Sequence, residues 1–252
     1  MIIFLLCAYN EEGNIGVLVE RIRKIFSSKF QYKIVIINDG STDNTIDILK
    51  KYEKNSNIII LTHSKNLGLG KALNTGLNYI LKTLNENDIL ITMDADNTHN
   101  PELAVNMIEK INSGFDIVIA SRFIKGGKTI GLKFSRKILS YLAMLILKII
   151  FSYKGLNDYT CGYRCYKGKT LIDLKKEYQN NIISEKGFSA TVEILIKLLK
   201  HKPKICEIPF ILRYDFKKGK SKIRIFYTIF RYFILIIKNL TFRMIVWKPQ
   251  IP

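Results

Sequence analysis

The chain has 252 residues, 48% of them hydrophobic, which suits one α/β domain with a real core and excludes a low-complexity chain. Its formal net charge is +19, and the excess lies in one half: residues 1–120 carry 12 Lys+Arg and 14 Asp+Glu, residues 121–252 carry 28 and 7. Such a field attracts phosphates, of nucleic acid or of anionic lipid, although Lys-rich solvated faces give the same sum; no segment offers the ~20 uninterrupted apolar residues of a spanning helix.

The first half alternates strand and helix. Met1–Ala8 is an apolar run ending in polar residues, a buried strand. Ile15–Phe26 has helical periodicity and Tyr32–Asn38 is a β-branched strand. A helix is predicted over Thr42–Lys54, with Ser41 or Thr42 as its cap. Ile58–His63 is a strand, Gly70–Leu84 a helix, and Asp88–Asp94 a strand. Pro101–Ser113 is a helix with proline near its first turn, and Asp116–Ser121 is a strand. This alternation predicts βαβ units on a mostly parallel, Rossmann-like sheet with flanking helices. Ligands of such sheets sit beyond the carboxyl ends of the strands. Glu11, Glu12, Asp39, Asp94 and Asp96 all fall there, and like charges gathered so closely need a cation or shifted pKa values.

Later in the chain two apolar segments are interrupted by charge. Ile138–Phe151 contains only Lys148. Ile223–Trp247 carries Arg224, Arg231 and Lys238, spaced by seven and therefore on one helix face. A basic stripe on a greasy helix suits a lipid headgroup interface, or a buried helix whose basic residues snorkel. The four cysteines form no C-x-x-C pair and no basic leader precedes the first strand, so the chain reads as cytosolic and reduced. Cys7 and Cys206 lie in apolar runs and are expected to be buried; Cys161 and Cys165 lack the second pair a structural metal site needs.

Asp94-Ala95-Asp96 carries the sharpest chemistry. Carboxylates at i and i+2 of a strand end meet at one point if the chain bends between them. Two hard oxygen ligands suit Mg²⁺ or Mn²⁺ bridging a substrate diphosphate. Asp39-Gly40-Ser41 adds an acceptor for base N–H groups and a glycine that admits close backbone approach.

In order along the chain stand Ala8-Tyr9-Asn10-Glu11-Glu12, Asn38-Asp39-Gly40-Ser41-Thr42-Asp43, Asn66-Leu67-Gly68 with Gly70 and Ala72, Asp94-Ala95-Asp96 with His99 and Pro101-Glu102, and Ser121-Arg122-Phe123. Gly126-Gly127, Arg136 with Ser140, Asp158 with Thr160, Gly162-Tyr163-Arg164, and Gly219 with Ser221-Lys222 follow. Together these resemble the family-two glycosyltransferases of GT-A fold, and most closely the polyprenyl-phosphate sugar synthases, the dolichol-phosphate mannose synthases among them. The resemblance covers nearly the whole chain. It implies a GT-A domain over residues 1–222, with an interfacial helix at about 135–152 inserted, and a C-terminal amphipathic membrane-interface segment over 223–252. It also implies site roles. Tyr9, Glu11, Ile37 and Asp39 would line the nucleoside pocket. Asp94 and Asp96 would meet the diphosphate through metal, with Asp96 the more direct ligand, and Ala95 would border the nucleotide sugar. Arg122, Arg136 and Ser140 would hold the acceptor's phosphate, and Arg213 and Lys222 would close over the diphosphate from a basic loop, Asp215–Lys222. There are departures: Cys7 replaces a proline, Asn38 replaces the first Asp of a pair, and Thr98 stands where relatives place a metal-shell Gln.

The implied reaction is inverting transfer of a sugar from a nucleotide sugar of GDP-mannose or UDP-glucose type to a polyprenyl or dolichyl phosphate. A hydroxyl acceptor needs a general base, commonly a late acidic pair, and Ser184–Leu195 offers only isolated Glu185 and Glu193. A phosphate monoester, with a second pKa of ~6, needs positive charge and no base. The expected setting is peripheral, on the cytoplasmic face of a membrane, against anionic lipid; a small membrane partner subunit is among the partners the resemblance allows, and nucleic acid is not expected. The alternatives are a family member acting on a glycan hydroxyl, a sugar-phosphate nucleotidyltransferase, which would want a Gly-rich basic signature in place of Asn10-Glu11-Glu12, a catalytically dead relative, which intact Asp94 and Asp96 oppose, and a non-catalytic basic module binding membrane or nucleic acid.

Overall fold

The computed structural model describes residues 1–217 and 225–239. Its centre is a seven-stranded sheet in the order β3-β2-β1-β4-β7-β5-β8. The first five strands, β1 (Ile2–Ala8), β2 (Tyr32–Asn38), β3 (Ile58–Thr62), β4 (Ile89–Asp94) and β5 (Ile117–Ser121), alternate with α1 (Ile15–Phe26), α2 (Thr45–Lys50), α3 (Leu69–Ile80) and α4 (Leu103–Asn112). A short β6 (Lys128–Ile130) and the long α5 (Phe134–Phe151) follow. Then come β7 (Arg164–Lys167), α6 (Gly168–Tyr178), α7 (Ser189–Leu199), β8 (Ile205–Pro209), β9 (Ile211–Arg213) and α8 (Ile225–Lys238).

The strands form where the sequence can be buried on both faces. In β1 all residues but Cys7 are buried, as a central strand covered by helices requires. In α1 the buried residues are Ile15, Leu18, Val19, Ile22 and Phe26, one stripe at helical spacing, and Phe26 meets Phe4 edge-on at 4.8 Å. β1, β2, β3 and β4 pair in parallel, so their carboxyl ends share one edge, with Cys7 level with Asp94 and Ala8 level with Asn38. The mostly parallel sheet predicted from the alternation is present, with one exception: β7 runs antiparallel between β4 and β5. Its four residues carry no run long enough to be read as a strand.

Two local expectations are corrected. The helix predicted over Thr42–Lys54 spans only Thr45–Lys50, and Ser41 and Thr42 do not cap it. Their hydroxyls accept from Asn10 N at 3.0 Å and Asn10 Nδ2 at 3.2 Å, tying the β2 end to the β1 end. Cys7 and Cys206 are half-buried, because each sits at the margin of a strand's apolar run, whereas Cys161 and Cys165 are buried free thiols.

The inserted helix expected at about 135–152 is α5. One face of it is apolar and exposed, from Phe134 (78% exposed) through Ile138, Tyr141, Leu142 and Ile146 to Ile149. On α8, Phe226 (89% exposed), Ile229, Phe230, Phe233 and Ile237 form a second exposed apolar face, while Thr228 and Leu235 face inward. The expected outward basic stripe is not what this helix presents. Arg231 turns in to the buried Glu185 at 2.6 Å, because a carboxylate held away from water needs a counter-charge. Lys238 is exposed, and Arg224 lies outside the described residues. No described helix is long and apolar enough to cross a membrane.

Candidate active site

The β1, β2 and β4 ends build the site. Asn10 and Asn97 adopt left-handed backbone (φ 51° and 61°), which turns the chain sharply just after β1 and just after β4. Asp94 and Asp96 stand just before the second turn, two residues apart and within electrostatic reach of each other.

Asp94 ends β4 with 42% of its side chain exposed. Its backbone N–H donates to His99 Nδ1 at 3.0 Å. That leaves the His99 proton on Nε2, which faces Asp94 Oδ2 at 3.6 Å. His99 is itself clamped, stacked on Tyr163 at 5.1 Å and edge-on to Phe210 at 5.2 Å. Surrounding protein and the neighbouring Asp96 push the Asp94 carboxyl above its usual range, a push that exposure to water weakens.

Asp96 is buried. Its Oδ1 accepts from Thr98 Oγ1 at 2.7 Å and Thr98 N at 3.2 Å, and its Oδ2 pairs with Lys217 Nζ. Burial pushes this carboxyl up, but Lys217 outweighs it and holds the carboxyl below the usual range. Lys217 shows the mirror effect: burial lowers it, Asp96 raises it, and the net direction is up. Thr98 stands behind Asp96 and aims its carboxylate. Ala95, between the two acids, is buried.

The donor set fits a hard divalent cation. It consists of two carboxylates, one of which already holds an ammonium group. No group of three His, Cys, Asp or Glu converges on a metal position among the described residues. One or two carboxylates, with water and substrate phosphates completing the shell, is how Mg²⁺ is commonly held.

The nucleoside side is more crowded than its sequence suggests. Asp39 is buried and accepts four hydrogen bonds. His63 Nδ1 (2.7 Å) and Leu67 N (3.0 Å) reach Oδ1, while Asn66 Nδ2 (3.0 Å) and Gly68 N (2.8 Å) reach Oδ2. A carboxylate offers about four such positions, so Asp39 shapes the loop around Asn66–Gly68, and a base N–H would have to replace a protein donor. His63 continues to Thr75 Oγ1 at 3.0 Å. Gly40, at φ 65°, passes so near Lys65 that a Cβ there would lie 2.2 Å from its carbonyl carbon. Glu11 is buried against Asn14 Nδ2 at 2.7 Å. Tyr9 lies half-buried at the β1 end. Ile37 is fully buried in the sheet core, so its side chain supports the pocket from beneath and does not line it.

Of the residues expected to hold the acceptor's phosphate, Arg122 forms a bidentate pair with the fully buried Asp158, Nε to Oδ2 at 2.8 Å and Nη2 to Oδ1 at 2.7 Å. Nη2 also donates to Thr160 Oγ1 at 2.6 Å. Burial opposes charge on both partners, but each holds the other ionised: Asp158 is held below the usual carboxylate range and Arg122 is raised. Asp158 is fixed in turn by Glu207, whose Oε1 accepts from the backbone N of Asn157 and Asp158 at 2.7 and 2.6 Å. Arg122 is thus a braced cation. Arg136 and Ser140 share a face of α5 one turn apart, and Arg136 approaches Tyr214 Oη at 3.5 Å.

Tyr214 belongs to the segment that reaches Asp96. Arg213 N donates to Thr98 O at 3.3 Å, and the chain then makes a single turn over Tyr214–Phe216 before Lys217. The Arg213 side chain is held by Asp215 at 2.7 Å and lies over the Phe216 ring at 3.9 Å, away from the acids. Lys222 lies outside the described residues. Sequence reasoning missed Lys217, His63 and the bracing roles of Asp158 and Glu207. Lys217 had a signal in its place in the basic loop and Asp158 in its motif with Thr160; His63 and Glu207 had none.

Of the two late acids, Glu185 pairs with Arg231 and accepts from Ser189 Oγ at 2.7 Å. Glu193 accepts from the backbone N of Ser184 and Glu185 and pairs with Lys197 at 2.8 Å.

Residues 4–173 match the family described as Glycosyl transferase family 2. A dolichol-phosphate mannosyltransferase of Pyrococcus furiosus is 30% identical over 245 residues, 96% of this chain; the chain spans 63% of that relative's length. An undecaprenyl-phosphate mannosyltransferase of Micrococcus luteus is 30% identical over 217 residues, 85% of this chain and 84% of its own. Among solved structures, glucosyl-3-phosphoglycerate synthase of Mycobacterium tuberculosis, crystallised with Mn²⁺, UDP-glucose and phosphoglyceric acid, superposes with a TM-score of 0.67. It is 14% identical, over 96% of this chain and 80% of its own, and at that identity it speaks for the GT-A fold alone. With the family match running through β1, β2, β4 and the two acids at the β4 end, the chain belongs to glycosyl transferase family 2.

Proposed function

We propose that the protein transfers a sugar, mannose by the names of its relatives, from a nucleotide sugar to a polyprenyl phosphate at a membrane surface. The observation that carries the phosphate acceptor is the state of the two late acids. Glu185 is neutralised by Arg231, and Glu193 is spent on backbone N–H groups and Lys197, so neither is placed to take a proton from a hydroxyl. A phosphate acceptor needs none taken; it needs cations, and Arg122 and Arg136 with Ser140 provide a polar stretch leading to the acids.

In this reading Asp94 and Asp96 would hold a divalent cation, Mg²⁺ or Mn²⁺, which would supply positive charge for the departing diphosphate. Thr98 keeps the Asp96 carboxylate aimed and His99 holds the Asp94 backbone, so that little reorganisation is needed at the moment of transfer. Arg136 and Ser140 orient the acceptor phosphate toward the anomeric carbon, and Arg122, whose charge Asp158 balances, contributes a fixed guanidinium dipole beside it. Direct attack from the opposite face inverts that carbon. Tyr9, Glu11 and the loop shaped by Asp39 border the nucleoside. The exposed apolar faces of α5 and α8 lie on the membrane, with the prenyl tail in the bilayer, and the positive half favours the anionic cytoplasmic leaflet.

The test is incubation with Mn²⁺ or Mg²⁺, a short polyprenyl phosphate in detergent and a panel of GDP- and UDP-sugars, followed by organic extraction. Extractable sugar from one donor supports the reading and names the sugar. No product from any donor, with metal-dependent nucleotide binding intact, would send the search to hydroxyl acceptors.

A further inference from the structure

The Asp96 carboxylate already has a cation. Lys217 Nζ sits on Oδ2, while Oδ1 is taken by the Thr98 hydroxyl and backbone N–H. The lysine did not drift there from solvent. Its side chain is 11% exposed. Its backbone N donates to Tyr214 O at 3.3 Å, and the segment that carries it is tied to the same turn as Asp96 through Arg213 N and Thr98 O. The contact spans 121 residues of sequence, so forming it fixes the end of the basic segment against the acid. Arg213 is the other basic side chain of the described segment 213–217, and it is turned to Asp215 and Phe216.

We infer that Lys217 is a built-in counter-cation that competes with the divalent metal for Asp96, so that metal entry releases the segment 213–217 from the acids. The inference rests on the metal reading of Asp94 and Asp96. An ammonium and a divalent ion cannot share Oδ2 at contact distance, since like charges there repel in a partly dry site. Metal-free protein therefore keeps Asp96 neutralised and the basic segment held down on that acid. Metal binding must displace Lys217, and the apparent affinity is reduced by the fraction of molecules in which the pair is closed. Metal loading and exposure of the segment become one coupled event.

The test measures Mn²⁺ binding to the full chain without nucleotide, by the electron paramagnetic resonance signal of free Mn²⁺, together with hydrogen exchange across residues 210–217. Lys217→Gln is expected to bind Mn²⁺ tighter than the native protein, on the order of five- to tenfold. Lys217→Arg, which keeps the charge, is expected to stay near native affinity. Mn²⁺ is expected to raise exchange in segment 213–217 of the native protein and to leave that of Lys217→Gln little changed. Equal or weaker Mn²⁺ binding by Lys217→Gln, with native binding intact, would overturn the competition and leave the metal reading standing. Absence of Mn²⁺ binding from both proteins would overturn the metal reading and the inference with it.

Discussion

At the scale of single residues, the site separates groups that face the substrate from groups that hold them. Asp96 is of the first kind. Asp96→Asn keeps the hydrogen bonds of Thr98 in reach but removes the charge, and transfer is expected to fall on the order of 10²- to 10³-fold with the fold retained; native activity in a radiolabelled-sugar assay would rule out the metal role. Arg136→Ala should slow transfer far more than it weakens nucleotide binding, and an equal loss in both would move Arg136 to the donor side. Asp158 is of the second kind. Asp158→Asn strands a nearly buried guanidinium, at a cost of about 3–5 kcal/mol in denaturant unfolding. Because the Asp158 pKa lies below its unfolded value, its stabilisation is full at neutral pH. It declines once the pH drops below the ordinary Asp value near ~3.9 and is gone below the depressed one, so the native protein should lose more stability there than Asp158→Asn does.

At the scale of elements, β1 to β5 and α1 were legible because each is an apolar run or stripe bounded by polar turns, and Ile15–Phe26 and Tyr32–Asn38 were located to the residue. The five carboxylates at one sheet edge followed from that register. What stayed hidden depends on partners far apart in sequence. β7 is four residues long, and only its neighbours make it a strand. Arg231 reads as one of three regularly spaced basic residues until Glu185, 46 residues away, is found beneath it. Asp39 reads as a base contact until its four protein donors are counted. The α8 face proposed to meet lipid can be tested alone: Phe226→Ser with Phe230→Ser removes two exposed rings and should weaken binding to neutral vesicles about tenfold or more, without loss of thermal stability. Unchanged flotation with vesicles would detach this face from membrane binding.

At the scale of the molecule, charge and greasy surface occupy the same half. The basic residues of that half interleave in sequence with the apolar runs of α5 and α8, and although Arg231 turns inward on α8, both helices keep an exposed apolar face suited to acyl chains. The protein should therefore be retained on anionic liposomes and not on RNA at matched salt; comparable retention on both would favour a general polyanion binder. The sheet order also sets a timetable for the nascent chain. β5 is translated before β7, yet its partners in the finished sheet are β7 and β8, and β7 is also what joins it to β4. A ribosome that has delivered the first 121 residues has made Asp94, Asp96 and five strands, but the fifth has no neighbour and the edge of β4 lies bare. Such an edge invites pairing with another chain, so a released 1–121 fragment should aggregate where the whole chain does not. Docking of β5 onto the sheet waits for the strand that closes the gap.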